Sequence, residues 1–283
     1  MPEAESELTP PSSRLQAEAH ALAAEASYDM ADFARAAESY RHAALGYWNI
    51  DAAVHIDALL GLGLCLDHLG QHTESELVYG QVLESETAAP SQKAAAKRNL
   101  VYAAGVRYFA NADFAASQAC FAKALTLNPD DDDFRSDILM WMGACQSQLG
   151  HFAAAGETYT DLLSSHGAHE SVKSQASQWQ VFAQGQVHFA ARRYQEARGK
   201  FEEILKRRGT ANEFRSGVTL MVAHCYFHLC EYRQASRRYR QILKTRNASP
   251  QQKTEARQWR RALPGLIERL VRSFRNPLGW GIR

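Results

Sequence analysis

Apolar positions recur with helical spacing along most of the chain. Six segments show the pattern most clearly: DFARAAESYRHAAL (32–45), QHTESELVYGQVL (71–83), DFAASQACFAKAL (113–125), HFAAAGETYTDLL (151–163), RYQEARGKFEEIL (193–205) and EYRQASRRYRQIL (231–243). An aromatic residue or His opens each one, at Phe33, His72, Phe114, Phe152, Tyr194 and Tyr232. A small residue stands three positions on and an aromatic four beyond it. Two apolar positions follow, three and four further. This spacing puts one apolar stripe on each helix and a polar face opposite.

The opening residues are 39, 42, 38, 42 and 38 apart, so the true period is about 80. Phe134-Arg135-Ser136 recurs as Phe214-Arg215-Ser216. Cys65, Cys145 and Cys225 keep the same interval, as do Lys93, Lys173 and Lys253. A helical pair that cannot bury its own apolar faces must stack on its neighbours, so such repetition predicts a solenoid. Three double units are followed by the start of a fourth, which turns basic.

Leu62-Gly63 with Leu66, Gly105 with Tyr108, Met142-Gly143 with Gly150, Gly185, and the late Pro129 make the chain resemble the tetratricopeptide repeat family over about residues 14–250. These repeats run longer than the usual family unit, and the surplus is expected in the first helix and the inter-repeat loop. The resemblance implies an all-α, right-handed superhelical solenoid of antiparallel helix pairs with a C-terminal capping helix. Expected divisions are an acidic leader over 1–12, six helix pairs over 13–250, and a cap with a basic amphipathic tail over 251–283.

The family register also assigns residues to a concave face. They are Leu60, Leu64 and Asp67 in the second repeat, and Tyr102, Val106 and Phe109 in the third. Met140, Trp141 and Ala144 follow in the fourth, with Trp179, Phe182, Gln186 and Phe189 in the fifth. Leu220, Met221, His224 and Phe227 close the sixth. Such a face suits an apolar or amphipathic helix of a protein partner. Two readings stand side by side: a groove open to a partner, or a seam that the chain's own helices fill. The function implied is a non-catalytic scaffold or adaptor.

Composition agrees with helix: 46% of residues are hydrophobic, against 8 prolines and 17 glycines. No apolar run approaches bilayer length and the N-terminus lacks a signal-peptide pattern, so the expected location is cytoplasmic. Charge is uneven. Residues 1–92 carry 3 basic and 15 acidic side chains, and residues 173–283 carry 23 and 7. That dipole can drive self-association.

The basic end includes Arg257, Arg260 and Arg261, then Arg269, Arg272 and Arg275 beside Leu266, Ile267, Leu270, Val271 and Phe274. A capping helix, peripheral contact with anionic membrane and an acidic partner all fit this tail. No nucleic-acid motif occurs. Asp130–Asp133 is read as a helix start, and the five cysteines as buried free thiols. His224 and His228 are four apart but have no evident third ligand, so no metal is assigned. No phosphate loop, nucleophile elbow or carboxylate pair appears, and neither enzyme activity nor a cofactor is expected.

Overall fold

The computed structural model describes residues 14–48, 50–127, 132–207 and 210–263, with the side chain of residue 133 excepted. Among the described residues there are thirteen α-helices and no strand. They are α1 (Arg14–Asp29), α2 (Phe33–Tyr47), α3 (Ala52–His68), α4 (His72–Glu84), α5 (Pro90–Ala110), α6 (Phe114–Leu127), α7 (Asp132–Gln148), α8 (Phe152–Ser164), α9 (Glu170–Ala190), α10 (Tyr194–Lys206), α11 (Asn212–His228), α12 (Tyr232–Lys244) and α13 (Pro250–Arg261). Each of the six opening residues stands at the first position of an even-numbered helix. The fold is an all-α repeat solenoid. The chain divides into two units, 1–149 and 150–283.

Helix lengths account for the 80-residue period. The first helices α5 and α9 have 21 residues, whereas α3, α7 and α11 have 17. Four extra residues add one turn, about 6 Å of helix. The long helices lie inside the 42-residue intervals and the short ones inside the intervals of 38 and 39.

Sequence sets the helix boundaries. Asp51 accepts from the backbone N–H groups of Ala53 and Val54, and Asp113 from that of Ala116. Pro90 and Pro250 occupy first-turn positions, where a missing N–H costs nothing. Ser249 and Gln252 form a reciprocal capping box at the start of α13. The turn into each even-numbered helix contains one left-handed residue: Ala31, Gly70, Ala112, Gly150, Arg192 or Cys230. Around Arg192 the bonds are Arg192 N–H to Phe189 C=O and Arg193 N–H to His188 C=O, a Schellman ending.

Packing follows the repeat. Within the first unit Tyr79 and Phe121 are 0% exposed, and within the second Phe201 and Tyr239 are too. Each large ring needs a hollow on the facing helix. Glycine supplies it: Tyr79 covers Gly63, Phe121 covers Gly105 and Phe201 covers Gly185, with an added Cβ meeting each ring at 2.4–2.9 Å. Cys65, Cys145 and Cys225 are fully buried, as expected. Two depart from that expectation: Cys120 is half-buried on α6, and Cys230 lies exposed in the α11–α12 turn.

Candidate functional site

The predicted face residues lie on odd-numbered helices, and most are half-buried. In the first unit Tyr102, Val106, Phe109 and Trp141 surround the buried Phe121, Ala124, Ile138 and Cys145. Trp141 donates its indole N–H to Tyr102 Oη at 2.9 Å. Its ring stacks on Phe121 at 5.8 Å and 10°, and meets Phe109 edge-on at 5.1 Å. Leu60 packs against the Ile56–Tyr79–Val82 core, and Leu64 is half-buried on the same helix.

In the second unit Trp179 lies 4.3 Å from the ring of Phe214, and Phe182 touches both Phe201 and Phe214 at 5.6 Å. Phe189 meets Tyr194 and His228 edge-on. Phe227 lies edge-on to Trp259 of α13 at 4.9 Å. These rings join consecutive helices, so each has one side committed to packing and part of its surface left open.

Three assignments need correction: like Leu220 and Asp67, His224 is turned from the face, being only 5% exposed. Leu220 is only 5% exposed and packs with Ala223 and Tyr239, so it offers no free face. Asp67 turns toward α4, where it accepts from Ser75 Oγ at 2.5 Å and Tyr79 Oη at 2.9 Å, with His72 Nδ1 at 3.4 Å. Burial pushes its carboxyl above the ordinary aspartate range, against the opposing pull of these hydrogen bonds.

Phe134 and Phe214 were missed as ring partners. Their Phe-Arg-Ser recurrence was visible, but sequence spacing does not say that the ring reaches the preceding odd-numbered helix. Phe134 lies 5.8 Å from Tyr102 and carries Arg98 over its face at 4.8 Å.

His224 is buried, packed on Trp259 at 4.8 Å, with Nε2 3.5 Å from Glu255. Burial first, and His228 second, lower its pKa to about 4. His228 instead stacks on Tyr194 at 4.4 Å. Among the described residues no group of three or more His, Cys, Asp and Glu side chains could hold a metal ion. In the four-Asp run, α7 begins at Asp132; Asp130 and Asp131 lie outside the described residues.

Arg257, Arg260 and Arg261 are exposed on α13. Arg269, Arg272 and Arg275 lie outside the described residues, as do the 1–12 leader and the rest of the tail. No described helix is long and apolar enough to cross a membrane.

Comparison with known proteins agrees with this architecture. Residues 21–93 and 100–131 each match a model described as tetratricopeptide repeat. The chain therefore carries tetratricopeptide repeats over those residues. A search of curated proteins finds no significant match. Among solved structures it is similar to a tetratricopeptide repeat protein from Parabacteroides merdae, at 14% identity and TM-score 0.52, over 90% of this chain and 95% of that one. It is also similar to pilF of Pseudomonas aeruginosa, at 14% identity and TM-score 0.53, over 88% and 98%. At such identity the likeness is one of fold.

Proposed function

We propose that this chain is a non-catalytic scaffold that holds an apolar or amphipathic helical segment of a protein partner on its first-helix faces. The observation that carries the reading is the set of half-buried apolar and aromatic residues on each unit: Leu60, Leu64, Tyr102, Val106, Phe109 and Trp141 in the first, and Trp179, Phe182, Phe189 and Phe227 in the second. Rings locked by neighbours on one side and open on the other lose little freedom on binding, which favours them as anchors.

Replacing a ring such as Trp141 by Ala would empty the core around Phe121 and confuse binding with folding. The better test uses Leu64→Lys and Gln186→Lys, at half-buried positions outside the ring clusters. Affinity capture with mass spectrometry should lose the wild-type partners with the double variant, while its helical spectrum and thermal midpoint stay unchanged. Full partner recovery by a folded double variant would overturn the reading.

A further inference from the structure

A groove of 820 Å3 in the first unit lies on α2, α3 and α4, away from the first-helix rings. Leu45 and Trp48 of the α2 end, His55 and Leu59 of α3, and Val78 and Gln81 of α4 line it. Leu45 is 54% exposed and Trp48 66%, large values for such side chains. His55 holds Trp48 in place. Its Nδ1 lies 2.8 Å from the Ala44 carbonyl oxygen, which can only accept, so Nδ1 bears the proton. Its ring meets the indole edge-on at 5.0 Å.

The repeat supplies an internal control. The same positions, counted from the helix starts, line a groove of 360 Å3 on α10, α11 and α12 of the second unit. There Leu45 is replaced by Lys206, His55 by Arg215, Leu59 by Thr219 and Val78 by Arg238, while Gln81 is matched by Gln241. The architecture therefore tolerates a polar lining in this groove. The exposed apolar lining of the first copy is not a requirement of the fold, and exposed apolar patches of this kind mark contact sites.

We infer that this groove is a docking site for an amphipathic helix of a different protein, with large apolar residues on one face and Lys or Arg on its flanks. The basic flank follows from the charge of the surroundings: residues 14–92 carry 12 acidic and 3 basic side chains, while the groove lining itself holds Glu84 and Arg41. Among a second copy's described helices the most basic, α12, cannot supply the ligand, since its own stripe of Ala235, Tyr239 and Ile242 is buried. This site shares no residue with the first-helix faces, so either proposal can fail alone.

The test titrates the full chain into fluorescein-labelled model peptides and reads anisotropy. One peptide is an 18-residue Leu/Lys amphipathic helix, and the other its Leu/Glu counterpart. The Leu/Lys peptide should bind and the Leu/Glu peptide should not. The double variant Leu45→Ser with Trp48→Ser alters only exposed side chains and should weaken binding at least tenfold with an unchanged thermal midpoint. Val78→Arg, which installs the second-unit residue, should weaken it likewise. Equal binding of both peptides, or binding that neither variant affects, would overturn the assignment. So would self-association of the full chain that the double variant abolishes, since the occupant would then be a second copy.

Discussion

The ring of Tyr79 lies on Gly63 so closely that a Cβ built there would stand 2.4 Å from Tyr79 Cε1. Tyr79 is fully buried and cannot swing away. Gly63→Ala should therefore cost about 2–3 kcal/mol by overpacking. Gly105→Ala and Gly185→Ala, under Phe121 and Phe201, should behave alike. Gly80 and Gly199 are also helical, but nothing lies within 4 Å of their missing Cβ. Their replacement by Ala should stabilise by roughly 0.5–1 kcal/mol. Urea midpoints of the five variants check both signs, and a stable Gly63→Ala would refute the ring-on-glycine account.

The left-handed turn positions give the opposite lesson. Arg192 has φ +59° and Ala112 φ +61°, where a Cβ is strained, while Gly70 and Gly150 hold the equivalent places at no steric cost. Arg192→Gly and Ala112→Gly should each raise stability by about 0.5–1 kcal/mol, the relief of strain exceeding the entropy that glycine adds to the unfolded chain. Thermal midpoints should rise with each substitution, because each turn is closed by its own local hydrogen bonds.

Much of this was legible in the sequence because helix periodicity is local. Phe33, His72, Phe114, Phe152, Tyr194 and Tyr232 could be recognised as helix starts from their neighbours alone. The rings over Gly63, Gly105 and Gly185 were foreshadowed by small residues at the right spacing. What escaped was direction. Asp67 and Leu220 stand at the register positions of the face residues Phe227 and Leu60, so spacing alone could not say which copy turns its side chain into the core. The Trp48 groove escaped for a different reason. It forms between elements about 30 residues apart, and its apolar character emerges only beside the charged copy around Lys206 and Arg238.

Two equivalent tyrosines differ in their hydroxyls. Tyr79 donates to Asp67 at 2.9 Å. Tyr239 stands 160 residues on, where the counterpart of Asp67 is Phe227, and its buried Oη has no hydrogen-bond partner among the described residues. A buried hydroxyl without a partner carries its desolvation cost uncompensated. Tyr239→Phe should be neutral or stabilising by up to about 1 kcal/mol. Tyr79→Phe should destabilise by about 1–2 kcal/mol, since it removes a donor from a buried carboxylate. Asp67→Ala should cost more than Tyr79→Phe, because it removes the acceptor shared by Ser75 and Tyr79 and leaves Ser75 only the His72 carbonyl. Denaturant melts of the three variants should fall in that order.

His224 makes the stability of the second unit depend on pH. Its folded pKa is lowered to about 4, chiefly by burial, against an ordinary value of 6.5. Between those limits the unfolded chain takes up a proton that the folded chain refuses. Stability is therefore full above about pH 6.5 and falls as pH drops toward 4, by about 3 kcal/mol. Glu255 faces the ring from α13 and works the other way, since burial raises its pKa. It is 40% exposed and 3.5 Å distant, so burial of the imidazole dominates. His228, also lowered by burial, adds a small contribution of the same sign as His224. Leu64 occupies the position 160 residues earlier, so Leu is a side chain this register accepts. His224→Leu should remove most of the loss between about pH 7 and about pH 4.5 and leave stability at pH 7 nearly unchanged. Urea midpoints at the two pH values decide it: a wild-type curve that is flat, or a variant that keeps the full slope, would place the acid sensitivity elsewhere.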